Sequence, residues 1–188
     1  RAEFLAADMN NVESVRGLAA QVGDVDALVN NAAVFPFAPT LLQDIESFEM
    51  MLDVNVRAPF FLTAALLPGM IARGYGAVVN VSTVGATGLA DAPVYAATKA
   101  ALESLTRSWA AAFGPNGIRV NAVAPGPTHT EMAIATFGDG VEEMGAQTPL
   151  GRTARPAEIA EAIVFLASPQ ASYLTGATVL VDGGYSVI

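Results

Sequence analysis

The chain has 188 residues, of which 53% are hydrophobic and 14% charged, so it is long enough for one well-buried domain and too apolar for a disordered chain. Nine basic and eighteen acidic residues give a net charge of −9, which argues against a nucleic-acid partner because phosphate contacts require a basic surface. The lack of cysteine and the single histidine, His129, exclude disulfides and cysteine-ligated metals, and we expect no metal site.

Short apolar runs alternate along the chain with stretches of helical spacing. Residues 3–7 and 27–29 are apolar runs typical of buried strands, and residues 11–21 between them carry apolar side chains at helical spacing. Residues 45–73 predict one long helix, which Pro59 and Pro68 divide or kink. The remaining predicted elements are a strand over 77–81, a helix over 95–113, a strand over 118–124, a helix over 156–167 and a strand over 178–181.

This alternation predicts βαβ units and therefore an α/β fold, a doubly wound parallel sheet with helices on both faces. We expect a single domain over residues 1–188. Ligands of such sheets bind beyond the carboxyl ends of the strands, so the residues that follow each strand are the candidates for a site. Residues 128–151 are the least regular stretch and predict a loop long enough to act as a mobile lid.

The longest uncharged stretch covers residues 162–181. Ser168, Pro169 and Gln170 within it favour a helix end, a turn and a strand over a membrane span. The first residues lack the basic and apolar regions of a secretory signal. We therefore expect a soluble, cytoplasmic protein with no membrane partner.

Lys99 is the only lysine of the chain, and it follows Tyr95 by four residues within a predicted helix. The two side chains therefore share one helix face. An ammonium near a phenol favours the phenolate and lowers its pKa, which would give a general acid or base usable nearer neutral pH. The alternative is an ordinary exposed helix pair.

Polar residues at two other places could join this pair. Ser82 follows the predicted strand 77–81, where its hydroxyl could hydrogen-bond a substrate oxygen or simply satisfy its own backbone. Asn55 lies in an apolar helix and needs a partner such as a water or a carbonyl. Asn30 and Asn31 follow a buried strand, where asparagine usually caps or turns the chain.

Taken together, these residues resemble the short-chain dehydrogenase/reductase family over nearly the whole chain. Further segments look like the classical branch of that family. The matching motifs are Asn30-Asn31-Ala32-Ala33, Asn55, Ser82, Tyr95-Ala96-Ala97-Thr98-Lys99, Arg119 to Gly126, Leu150-Gly151-Arg152, and Leu174-Thr175-Gly176 to Val181-Asp182-Gly183-Gly184.

The resemblance implies a Rossmann-like NAD(P)-dependent oxidoreductase that interconverts a carbonyl and a secondary alcohol by hydride transfer. Tyr95 would be the acid/base, Lys99 its pKa partner and a ribose ligand, and Ser82 the group that orients the carbonyl. Asn55 would support a proton relay through a water near Lys99. The alternative is a non-catalytic scaffold or oligomerisation protein of the same fold, without a complete dinucleotide site.

The resemblance also implies a cofactor site, for NAD or NADP without preference. Asp8 would receive the adenine amino group, and residues 125–130 would hold the nicotinamide carboxamide. Ala33 stands where the family usually has glycine. The residues implied to bind the cofactor are Asp8, Asn30, Ala32, Ala33, Tyr95, Lys99, Pro125, Gly126, Thr128 and Thr130.

The family's opening strand, its TGxxxGxG turn and the following helix have no counterpart in this sequence, which matches from the family's third strand onward. About fifty residues would hold that segment. Without it, residues 3–7 have no neighbouring strand, and two explanations stay open: a longer chain or a different fold.

The sequence also supports expectations about the oligomeric state and the substrate. The alanine-rich helix 95–113, the long helix before it and the last strand region are expected to form a homotetramer or a homodimer. The candidate pocket favours an apolar or mixed carbonyl or alcohol, and it comprises Val34, Phe35, Phe37, Leu89, Ala90, Val94 and the loop 128–151.

Overall fold

The computed structural model describes residues 2–188 and is built around a four-stranded parallel sheet. The strands lie side by side in chain order, and each pairs in parallel with the next. Parallel neighbours need a crossover connection, which is why helices separate the strands along the chain. The strands are β1 (Ala27–Asn30), β2 (Gly76–Val81), β3 (Ile118–Pro125) and β4 (Thr178–Val181).

Helices cover both faces of this sheet. They are α1 (Val12–Val22), α2 (Ile45–Leu52), α3 (Ala58–Arg73), α4 (Pro93–Phe113), α5 (Glu131–Phe137), α6 (Gly140–Gln147) and α7 (Pro156–Ala167). Val78 of β2 packs in a core with α1, α3 and α4, whereas Val79, the next residue, packs in a second core with α7. Successive strand side chains point to opposite faces. The predicted doubly wound parallel sheet is therefore confirmed.

The predicted elements between residues 11 and 181 are found within two residues of their expected bounds. The largest difference is at α4, which begins at Pro93 rather than at Tyr95. Asn11 caps α1, because its side chain accepts hydrogen bonds from the backbone of Glu13 and Ser14. The spacing of apolar residues predicted these elements correctly because each helix or strand buries one face in the core.

Two predictions are wrong. Residues 3–7 form no strand, since no strand among residues 2–188 lies beside them to complete a ladder, and Phe4 is 88% exposed. The stretch 128–151 is not an irregular loop, because it contains α5 and α6. Thr130 starts α5 by accepting a hydrogen bond from the backbone of Ala133, a local cap that apolar periodicity does not reveal.

The predicted long helix over 45–73 is continuous, with a π turn between α2 and α3 and with Pro68 inside α3. In the turn Asp53–Arg57 the N–H of Ala58 donates to the carbonyl of Asp53, five residues back. The extra residue precedes Pro59, which has no N–H to donate and whose ring would crowd an ordinary α turn. The turn places Asn55, 1% exposed, in the interior.

The same segment, Ile45–Arg73, is long and apolar enough to cross a membrane by length and composition. Half of its most apolar window is buried inside the protein. Leu62, Leu66 and Met70 of α3 belong to the first core. A core helix therefore accounts for this apolar character.

Candidate active site

The central residues of the site lie where β2 ends and α4 begins. The chain leaves β2 at Val81, makes a 3-10 turn over Val84–Thr87 and enters α4 at Pro93. Gly88 in this connection has a φ of +138°, which residues with a side chain rarely adopt. This connection packs α4 against β2 and β3 and places the first turns of α4 at the carboxyl edge of the sheet.

Lys99 is one of the most buried charged residues of the chain, with 3% of its surface exposed. Its Nζ donates to the carbonyl oxygen of Val81 at 2.8 Å and lies 5.7 Å from the ring centre of Tyr95. Burial lowers the pKa of Lys99 from its ordinary 10.5 to about 8. The sequence alternative of an exposed helix pair is therefore wrong.

Tyr95 lies between Lys99 and Phe35, whose ring centre is 4.3 Å from its own in an edge-on arrangement. Burial raises the pKa of the Tyr95 phenol from 10.0 to about 12. Burial therefore moves this pKa in the direction opposite to the one that the spacing of Tyr95 and Lys99 predicts. The ammonium is directed at the Val81 carbonyl, while the aromatic neighbour removes water from the phenol.

Three phenylalanines form an aromatic cover over Tyr95. Phe35 and Phe37 come from the segment after β1, and Phe137 comes from the end of α5. Their ring centres lie 5.7 to 5.8 Å apart, within the usual range of aromatic pairs. The sequence-predicted pocket residue Phe35 is therefore beside Tyr95, and Phe37 packs against Phe35. Phe137 links the stretch 128–151 to these two rings.

Ser82 is 3% exposed, and its backbone N–H donates to the carbonyl of Val123 at 2.7 Å. Its hydroxyl does not satisfy its own backbone but donates to Oε1 of Glu103 at 2.7 Å. Sequence reasoning missed Glu103. The signal was present, because Glu103 follows Lys99 by four residues on α4 and so shares its face.

Asn55 uses its whole amide group. Its Oδ1 accepts from the Val34 N–H at 2.9 Å, and its Nδ2 donates to the Val34 carbonyl at 3.0 Å and to the Thr98 hydroxyl at 3.2 Å. The predicted carbonyl partner is thus Val34. These bonds tie the π turn to the segment after β1 and to α4.

Comparison with known sequences places the chain in one protein family. Residues 1–186 match the family model described as enoyl-(acyl carrier protein) reductase. Over 194 residues, the chain is 41% identical to cis-4-hydroxycyclohexanecarboxylate dehydrogenase of Sinomonas cyclohexanicum, covering 100% of this chain and 78% of that protein. The chain belongs to the short-chain dehydrogenase/reductase family.

Solved structures of the family have the same fold. A short-chain dehydrogenase/reductase family protein superposes with a TM-score of 0.95 at 53% identity, covering 100% of this chain and 78% of its own. A gluconate 5-dehydrogenase from Burkholderia cenocepacia, solved with NADP and tartrate, gives 0.90 at 32% identity, covering 96% and 74% of the two chains.

The chain is accordingly an NAD(P)-dependent oxidoreductase. The residues of this chain do not distinguish NAD from NADP. The relatives named as dehydrogenases and reductases favour the enzyme over the non-catalytic scaffold.

The family's cofactor fits the hydrogen-bonding groups present. The ammonium of Lys99 has three N–H donors, and within residues 2–188 only one of them finds an acceptor, so two remain for ribose hydroxyls. Ala32 and Ala33 follow β1 with side chains that are exposed or half-buried, and their small size lets a ligand approach the backbone. These residues can therefore hold a dinucleotide at the carboxyl edge.

Two other residues implied to bind the cofactor, Asn30 and Asp8, hydrogen-bond other residues of this chain. The buried side chain of Asn30 donates to Asn80 Oδ1 at 2.8 Å and to the Thr63 hydroxyl at 3.1 Å, inside the fold. Asp8 is exposed in the turn before α1, where its Oδ1 accepts from the Asn10 N–H at 2.9 Å.

The segment after β3 also has an internal role. A Cβ at Gly126 would lie 2.7 Å from the Cα of Asp182, so the chain requires glycine there for close packing. Pro125 closes β3, the Thr128 hydroxyl donates to the Gly126 carbonyl at 2.9 Å, and Thr130 caps α5. These contacts fix the segment beside the end of β4.

Proposed function

We propose that this enzyme interconverts a secondary alcohol and a carbonyl compound with Tyr95 as the acid/base. The observation that carries the proposal is the position of Lys99, whose Nζ contacts the last carbonyl of β2 at 2.8 Å and lies 5.7 Å from the Tyr95 ring. Lys99 thereby contacts the end of β2, next to Ser82, and lies near the Tyr95 ring.

In the reduction, the Tyr95 hydroxyl donates its proton to the forming alkoxide oxygen, and in the oxidation the phenolate accepts it. Ser82 hydrogen-bonds the same substrate oxygen and fixes its position. A bound nicotinamide cofactor supplies or accepts the hydride. The positive charge of Lys99 stabilises the phenolate once the proton has left.

Asn55 acts on this proton transfer from a distance. Its amide holds Val34 and Thr98, and Thr98 precedes Lys99 on α4. Asn55 therefore keeps Lys99 aligned with Tyr95, in addition to the water-mediated relay that the family resemblance implies.

The substrate belongs to an apolar or mixed class. Phe35 of the aromatic cover contacts the Tyr95 ring, and Phe37 and Phe137 extend this apolar surface. Such rings pack well against an alicyclic or aromatic body and offer no hydrogen bond to a polyol.

A panel of carbonyl compounds, each assayed with NADH and with NADPH, tests the function. We expect oxidation of at least one reduced cofactor by an apolar ketone, and its loss in Tyr95→Phe. A wild-type chain that binds the cofactor but reduces no carbonyl would overturn the proposal.

We also propose a homotetramer, or failing that a homodimer. An exposed, mostly apolar groove runs between the helix over 45–73 and α4, and its apolar lining residues are Leu52, Val56, Phe60, Phe61, Ala101 and Leu105. The chain end adds Leu180, Val187 and Ile188, all more than half exposed. Two such surfaces favour two kinds of two-fold contact. Light scattering that shows only a 19.3 kDa monomer at micromolar concentration would refute this assembly.

A further inference from the structure

Glu142 joins the two ends of the stretch that carries α5 and α6. Its Oε1 lies 2.6 Å from Nδ1 of His129, and its Oε2 accepts the Thr153 hydroxyl at 3.2 Å. A carboxylate has only acceptor oxygens, so the His129 Nδ1 carries the proton of the first bond. The backbone closes the stretch at the same place, because the His129 N–H donates to the Ala154 carbonyl at 2.9 Å. Residues 129–153 therefore leave and rejoin the fold at one point, and Glu142 bonds both sides of it.

The two helices of this stretch are held differently. No residue of α5 is fully buried, and its apolar side chains Met132 and Ile134 are exposed. In α6, by contrast, Val141 is buried, and a Cβ at Gly145 would lie 2.6 Å from Cγ2 of Thr153. Close packing therefore fixes α6, whereas the position of α5 depends on what holds its two ends.

The bond between Glu142 and His129 spans α5. His129 lies two residues before α5 begins, and Glu142 lies five residues after it ends, in the first turn of α6. The N–H of Glu142 donates to the Asp139 carbonyl at 3.0 Å, so the connection between the two helices is tight. Joining the ends of such a short segment restricts the positions that α5 can occupy.

Phe137 transmits this restraint to the proposed active site. It is the last residue of α5, and its ring centre lies 5.8 Å from those of Phe35 and Phe37. We propose that Glu142 is a positioning residue for substrate binding, which keeps Phe137 in the aromatic cover through its bond to His129. The inference rests on the proposed function, in which the aromatic cover receives the apolar part of the substrate.

The first test separates KM from kcat in the full chain, with cyclohexanone as the substrate. Glu142→Ala removes the bonds to both His129 and Thr153. We expect KM to rise by about 2- to 5-fold, the range of an exposed pair of this kind, and kcat to stay within about twofold of the wild type. The kcat should be kept because Glu142 bonds to His129 and Thr153 rather than to Tyr95 or Lys99.

Two further variants show whether the bonds themselves matter. Glu142→Gln keeps an acceptor oxygen for His129 and an amide that can donate to Thr153, so KM should stay within about twofold of the wild type. Glu143→Ala, the same change at the exposed next residue of α6, is the matched control and should leave KM unchanged. An unchanged KM in Glu142→Ala, or an equal rise in Glu143→Ala, would overturn the proposal.

A double variant tests the route through Phe137. If Glu142 acts by holding that ring, removing the ring also removes the effect of Glu142. Glu142→Ala added to Phe137→Ala should therefore raise KM no further than Phe137→Ala alone. Two effects that multiply would show that Glu142 acts on KM by another route, and the proposal would be wrong.

Hydrogen exchange needs no turnover, so it separates this inference from the proposed function. Measured by mass spectrometry, the amides of α5 should exchange about 2- to 5-fold faster in Glu142→Ala than in the wild type, and those of β2 should keep their rates. Unchanged exchange in α5 would overturn this role of Glu142 whether or not the chain is active. Faster exchange in a chain that binds the cofactor but reduces no carbonyl would instead overturn the proposed function, and with it the role of Glu142 in substrate binding.

Discussion

The two sides of the site are built differently. On the side of β2 and α4, Ser82 and Lys99 are each 3% exposed and hydrogen-bond the sheet backbone. On the opposite side, Phe37 and Phe137 of the aromatic cover are 48% and 37% exposed and contact other rings. Proton transfer needs groups held at fixed distances, whereas substrate recognition tolerates an adaptable apolar surface. The comparison therefore predicts that changes on the first side affect rate and those on the second affect substrate binding.

The largest effect is expected for Tyr95→Phe, which removes the acid and keeps the ring packed against Phe35. General acid catalysis contributes about 10²–10⁴ in rate, so kcat should fall by at least that lower bound. The dissociation constant of the cofactor, measured by fluorescence titration, should change little. A Phe variant with near-normal kcat would remove Tyr95 from the mechanism.

The second effect concerns pH and the buried charge of Lys99. Its pKa is about 8 in the folded protein and 10.5 ordinarily, so between these values the unfolded chain binds more protons and stability rises with pH. Below about pH 8 the lysine is charged in both the folded and the unfolded chain, so the full cost of burying that charge lowers the free energy of unfolding. Raising the pH from about 8 to 10.5 removes this cost and should increase the free energy of unfolding by up to about 3 kcal/mol. Above pH 10.0 the Tyr95 phenol, with its raised pKa, contributes the opposite slope.

Urea unfolding of the wild type and of Lys99→Met across this pH range isolates the lysine contribution. The Met variant should lack the rise, and Lys99→Arg should lack it too because a guanidinium stays charged. A wild type that follows the same pH curve as the Met variant would contradict the assignment of a buried, titrating ammonium.

A smaller loss is expected for Asn55→Ala. It leaves the N–H and the carbonyl of Val34 without their side-chain partner, which should lower the free energy of unfolding by about 1–3 kcal/mol. Because Asn55 also holds Thr98, which precedes Lys99 on α4, kcat should fall as well. Gln147→Ala, a change at an exposed amide of α6, is the control for stability. Equal stability of Asn55→Ala and the wild type would show that the tie to Val34 contributes nothing.

The smallest effect is expected on the aromatic side. Phe137→Ala removes one ring of the cover, and aromatic pairs are worth about 0.5–1.5 kcal/mol, so KM for an apolar ketone should rise by about 2- to 12-fold. The kcat should remain near that of the wild type, since Phe137 contacts Phe35 and Phe37 rather than Tyr95. A fall in kcat with unchanged KM would contradict the assignment of substrate binding to the aromatic side and of rate to the side of β2 and α4.

The strands, the helices and the central Tyr95–Lys99 pair of the site could be predicted from local sequence patterns. The buried strand 77–81 is apolar except for Asn80, and the helix 156–167 shows apolar residues at helical spacing, because each buries a defined face. The four-residue spacing of Tyr95 and Lys99 likewise fixes their common helix face. Both inferences depend only on neighbours along the chain.

Tertiary structure alone decided how those side chains are used. The Lys99 contact with Val81, the Ser82 contact with Glu103 and the Asn55 contact with Val34 join residues 18 to 21 positions apart. The raised pKa of Tyr95 depends on Phe35, which arrives from another strand connection. Residues 3–7 have the composition of a strand yet form none, because a strand requires a hydrogen-bonded neighbour that local sequence does not specify.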